Sequence, residues 1–81
     1  MKDETLNRAI ELRKAIKDGK NNLTCINNWK YRAPSILCLK TKDVGMEIEI
    51  KDPEVIIDLL FFLSEKYENV LFKRQAEFDS L

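Results

Sequence analysis

From Asp52 to Asp79 the chain reads as one helix, too long and too apolar for a protein of 81 residues to cover by itself. Its start is plainly written in Asp52-Pro53-Glu54. Asp at the cap accepts orphan amide protons, Pro at the first helical position lacks one of them, and Glu in the first turn complements the dipole. No glycine or proline follows Pro53. A helix over 53–79 is about 40 Å long at 1.5 Å per residue. A compact chain of this length has a radius of gyration near ~12 Å and a diameter of roughly 30 Å. Such a helix overhangs, bends or meets a neighbour. If it breaks, Glu68-Asn69 is the expected point, and Val70-Leu71-Phe72 would then begin another strand or a third helix.

Around the axis the pattern is equally demanding. At about 100° per residue, Val55, Ile56, Leu59, Leu60, Leu63, Tyr67, Val70, Leu71 and Phe78 share one broad face. Ile57, Phe61 and Phe72 lie on a different side, and Phe62 on yet another. Val55 to Leu63 is thus apolar nearly all round, interrupted only by Asp58. A helix like that is normally covered on every side. One further helix and a small sheet cover about two sides, so Ile57, Phe61, Phe62 and Phe72 are expected to form a protein interface. The competing expectation is that the N-terminal arm, or the loop around Pro34, folds over them.

The first helix is expected over residues 3–18. Leu6, Ala9, Ile10, Leu12 and Ile16 fall on one face, with Asp3, Asn7, Glu11, Lys14 and Asp18 opposite. Gly19 follows where a left-handed cap is cheapest. Arg13 projects from the middle of the apolar face. Either its stem packs while its head reaches solvent, or it makes a buried or interfacial ion pair with a carboxylate of the second helix or of a partner.

A strand-rich middle follows, with strands expected at about 23–32, 35–41 and 44–50. Asn21-Asn22 and Asn27-Asn28 suit turns. Trp29-Lys30-Tyr31-Arg32 alternates rings and cations as a strand would. Met46, Ile48 and Ile50 alternate with Glu47, Glu49 and Lys51, and Lys42 to Gly45 supplies a hairpin turn. The expected fold is therefore α+β: an N-terminal helix, a two- to three-stranded antiparallel sheet, and a long C-terminal helix, with the helices packed on one sheet face.

Little chemistry is available. There is no histidine, which removes the commonest general base and the imidazole metal sites. The two glycines are far apart, so no phosphate-binding glycine loop exists. Glu47 and Glu49 share a strand face without a catalytic companion. Cys25 and Cys38, thirteen positions apart, make no metal site and are expected to be reduced, buried and inert. No catalytic residue, cofactor, metal or small-molecule substrate is expected. No export signal or membrane span is legible, which points to the cytoplasm.

Fourteen basic and fourteen acidic residues cancel. A dedicated DNA-binding domain usually carries a basic excess. The sum hides two blocks, basic over residues 21–42 and acidic over 43–60, expected to pair across the sheet. The expected function is a small protein-interaction module, a homodimer or a subunit bound to a partner through Ile57, Phe61, Phe62 and Phe72, with Arg13 as polar anchor. Chains this short and unequipped suit accessory or inhibitory proteins such as those of viruses and mobile elements. The alternative is single-stranded nucleic acid, with bases stacked on Trp29 and Tyr31 and phosphates held by Lys30 and Arg32.

Overall fold

Two long helices run antiparallel, joined at one end by a small β-hairpin. The computed structural model describes residues 2–81, in the order α1 (Asp3–Tyr31), β1 (Leu37–Lys40), β2 (Glu47–Ile50) and α2 (Pro53–Asp79). The α+β class and the element order follow expectation, with two strands out of the two to three expected.

The first strand expected, over 23–32, is helix. α1 does not stop at Gly19 but continues to Tyr31. The reason is tertiary. Thr5, Ala9, Leu12, Ile16, Gly19, Leu23, Ile26 and Lys30, spaced alternately by four and three, are all buried or half-buried. That is the spacing of a coiled-coil seam, and it passes through Gly19 without a change of phase. The asparagines that suggested turns serve the helix pair instead. The Asn22 side-chain amide donates to the Tyr67 hydroxyl at 3.2 Å, and Asn27 accepts from the Ser64 hydroxyl at 3.1 Å. Helix α1 ends ahead of Ala33-Pro34, where the proline ring disfavours helical backbone in the residue before it.

Gly19 is a contact point, not a cap. It is buried, and a Cβ built on it would stand 2.8 Å from Leu71 Cδ2. Its missing side chain lets α2 come close. The second correction concerns α1's apolar face. Leu12 and Ile16 are buried, yet Leu6 and Ile10 are exposed, lying a quarter-turn or more off the seam.

Helix α2 is unbroken at Asn69. Asp52 caps it as expected, its carboxylate accepting from the Glu54 amide at 3.0 Å. Ile56, Leu60 and Ser64 are its buried residues. Ile26, Ile56 and Leu60 form the central apolar cluster, with Leu37, Ile50, Leu63 and Tyr67 against it. At the open end, Arg8 Nη2 and Nε grip the Glu77 carboxylate at 2.7 and 3.1 Å.

In the hairpin, Leu37 pairs with Ile50 and Leu39 with Ile48, so these four share one face. Leu37 and Ile50 reach the helical core, whereas Leu39 and Ile48 remain exposed. Gly45 closes the turn at φ 69°, a left-handed backbone that suits glycine. The helices therefore pack mainly on each other, not on the sheet face as expected.

The molecule is long and thin, 50 × 29 × 14 Å with a radius of gyration of 16.0 Å. A compact chain of its length has about 12 Å. It exposes 6842 Å², whereas a compact monomer of 9.5 kDa exposes about 5,000 Å².

Replacing Gly19 with Val should push Leu71 aside and lower stability by about 1–3 kcal/mol. Adding Leu71→Ala to the same chain should recover part of that loss in urea unfolding followed by circular dichroism. Equal losses with and without Leu71→Ala would mean that Gly19 is not where the helices touch.

Candidate protein interface

The two faces of the helical layer differ. On one, Arg8 bridges to Glu77 and Asn22 to Tyr67, leaving a polar surface. On the other, α1 presents a stripe displaced from the seam by one residue: Leu6, Ile10, Arg13, Lys17, Lys20, Asn27 and Tyr31, all exposed. Helix α2 presents Ile57, Phe61, Glu68, Phe72 and Gln75 on the same side. Two shallow hollows tie these stripes together, one shared by Arg13 and Gln75, the other by Asn27, Tyr31 and Phe61.

The chain itself does not cover the aromatics. Ile57 is 42% exposed, Phe61 56%, Phe62 62% and Phe72 77%. Ala33, ahead of Pro34, stands beside Ile57 and Phe61 but leaves both exposed. Ile57 and Phe61, one turn apart, form a bare apolar patch with Tyr31, and Phe72 lies about three turns further along α2.

The two sets of residues singled out from the sequence meet at one end of the layer. Trp29, Lys30, Ala33, Ile57 and Phe61 line a common hollow. Lys30 is its polar centre. Its ammonium stands 4.5 Å from the centroid of the Phe61 ring and donates to the Ser64 hydroxyl at 3.3 Å. The cation thus holds one face of the Phe61 ring and leaves the rest to solvent. Tyr31, 95% exposed, stands beside it. Trp29 to Arg32 are the end of a helix rather than a strand, so their side chains radiate instead of sorting rings from cations. Arg32 lies with Tyr31 and Asn28 in a separate hollow.

Phe62 is not part of this face. It lines a hollow with Glu65, Lys66 and Asn69 on the outer side of α2. Arg13 lies toward the open end with Ile16, Gln75 and Phe78, and it makes no ion pair among the described residues.

Sequence reading missed Leu6 and Ile10 as surface residues, along with the bare half of the hairpin face at Leu39 and Ile48. The missed signal was the four-three spacing that continues past Gly19. Once the seam is placed there, Leu6 and Ile10 fall outside it.

The cysteines are exposed, not buried as expected. Cys38 lies on the polar face of the hairpin, where its thiol donates to the Glu47 carboxylate at 2.7 Å. That hydrogen bond, with the negative charges of Glu47 and Glu49 nearby, raises the thiol pKa above its ordinary value and disfavours the thiolate. The two basic and acidic blocks do not pair as a sheet-wide set. Lys40 sits opposite Glu47 in register, but the hairpin's ion pair within 4 Å is Lys51 with Glu49, at 3.7 Å.

Among the described residues, no helix is long and apolar enough to cross a membrane. The fold and its face define a two-helix layer, closed by a β-hairpin, with large apolar residues left bare on one side. No protein-family model, curated protein or solved structure matches the chain.

Because a carboxylate raises the Cys38 pKa, Glu47→Ala should lower it and increase the thiolate fraction at any pH below it. In a Cys25→Ser background, alkylation by iodoacetamide near pH 8 should then be faster in the Glu47→Ala chain. An unchanged rate would mean that the Cys38–Glu47 hydrogen bond does not govern the thiol.

Proposed function

We propose that this chain is a non-catalytic protein-interaction module of the cytoplasm, docking another polypeptide through the bare side of its helical layer. One observation carries this: Ile57, Phe61 and Phe72 lie on a single exposed stripe of α2, with Tyr31 of α1 beside Phe61, and Phe72 about three turns further along. Burying even half of such side chains is worth several kcal/mol at about 25 cal/mol per Å² of apolar surface. Tyrosine and phenylalanine in a shallow, partly apolar setting are the usual anchors of protein interfaces. Lys30, fixed by Ser64 and the Phe61 ring, pre-orders one of those anchors, which reduces the entropy lost on docking. An accessory or inhibitory role suits a chain whose chief exposed feature is a face for something else.

Single-stranded nucleic acid has less in its favour. The Lys30 ammonium is engaged within the protein, and the Trp29 and Tyr31 rings are turned about 200° apart around the helix. A stacking platform needs rings side by side.

A photo-crosslinking residue in place of Phe72, introduced in producing cells, should give a covalent adduct to a polypeptide. The same residue in place of Lys40, on the polar hairpin face, should give none. Adding Phe61→Glu to the position-72 chain should abolish the adduct. Absence of any protein adduct at position 72 would end the docking proposal.

A further inference from the structure

We infer that the occupant of the bare face is a second copy of this chain, stacked so that α1 of each copy lies over α2 of the other in a four-helix assembly. This rests on the docking function proposed above and names its partner.

The exposed area is the first support. Each chain exposes about 1,800 Å² more than a compact chain of its mass. Two copies that covered this excess on each other would bury about 3,600 Å² in total, inside the roughly 2,000–5,000 Å² of obligate homodimers. A layer only 14 Å thick has one seam of buried residues between its helices and no interior beneath its bare face. Laying a second layer on it creates one, and stacking two layers around a shared core is the ordinary solution for helices with unburied stripes.

Charge then selects the arrangement. The exposed stripe of α1 is basic at mid-length, with Arg13, Lys17 and Lys20 and no acid. The exposed stripe of α2 carries Glu68 and no cation. A two-fold axis parallel to the helices keeps every residue at its height and exchanges the two helices, so each basic stripe lands on the partner's acidic and aromatic one. Heights are set by contacts within the chain: Gly19 meets Leu71, Asn22 meets Tyr67, and Asn27 meets Ser64. At those heights Lys20 faces the stretch between the partner's Glu68 and the partner's Phe72. Tyr31 comes over the partner's Phe61. A two-fold axis across the helices would lay α1 on α1, with Lys17 near its midpoint, setting three cations against three. Like charges held together across an interface are strongly unfavourable, so that arrangement is disfavoured.

Light scattering on the full chain across a concentration series should report twice the 9.5 kDa chain mass. Phe61→Glu with Phe72→Glu should give monomers that keep their helical circular dichroism. Lys20→Glu alone and Glu68→Lys alone should each raise the dimer dissociation constant by roughly tenfold or more, because each sets like charges against each other at two symmetric places. Mixing the two single variants should restore dimers, since each reversed charge then meets its opposite on the other copy. Pairing within one chain cannot yield rescue by mixing. A strictly monomeric wild type would overturn the second-copy inference, and a position-72 adduct to a different protein would then leave docking itself standing. A dimer that shows no rescue on mixing would overturn the stacked arrangement.

Discussion

The close approach of α1 and α2 at Gly19 is the constraint on which the rest of the structure depends. Without a side chain there, Leu71 can lie directly against the α1 backbone. That approach sets the phase of both helices. Leu12 and Ile16 on one side of it, and Ile26 with Ile56 and Leu60 on the other, are buried because the seam runs straight through. The same phase decides what is left outside, since a residue one position off the seam is turned by about 100° and faces solvent. Leu6, Ile10, Ile57 and Phe61 are exposed for that reason alone.

The β-hairpin depends on the seam in turn. A lone two-stranded hairpin is marginal in water, and this one touches the core only through Leu37 and Ile50. It sits at the end where Ile26, Ile56 and Leu60 cluster, which gives that end a small second layer. The opposite end has none and is closed by the solvent-exposed Arg8–Glu77 pair, an interaction of modest strength. Burial runs along the whole seam, from Leu12 and Ile16 toward the open end to Ile26, Ile56 and Leu60 beside the hairpin. A face of bare aromatics on such a thin body is physically reasonable when a second body supplies the missing side of the core.

Much of this was legible in the sequence, though unevenly. Asp52-Pro53-Glu54 identified the start of α2 because capping is local chemistry, complete within a few residues. The hairpin and its Gly45 turn were legible for the same reason. The all-round apolar run from Val55 to Leu63 announced that one helix and a small sheet could not cover it. The second half of α1 was not legible. Asn21, Asn22, Asn27 and Asn28 favour turns in isolation, and the ring–cation alternation of Trp29 to Arg32 resembles a strand. These preferences are each worth less than burying Leu23 and Ile26 in a continuous seam, and Asn22 and Asn27 find partners on α2. The cysteines were misplaced because residue type predicts burial only on average, and both lie off the packed surfaces.

The sequence by itself determined the elements whose causes are local: a capped, uninterrupted C-terminal helix, a glycine-turned hairpin, a helical N-terminus, and the excess of apolar surface on α2. Only the tertiary structure decided that Gly19 is a point of contact and not an end. It also decided that α1 runs on to Tyr31, and that Trp29, Lys30 and Tyr31 join Ile57 and Phe61 at one place. These outcomes depend on which face of one helix meets which face of another. A helix presents several plausible faces to its neighbours, and the choice among them is made by the sum of contacts across the chain, which no short stretch of residues contains.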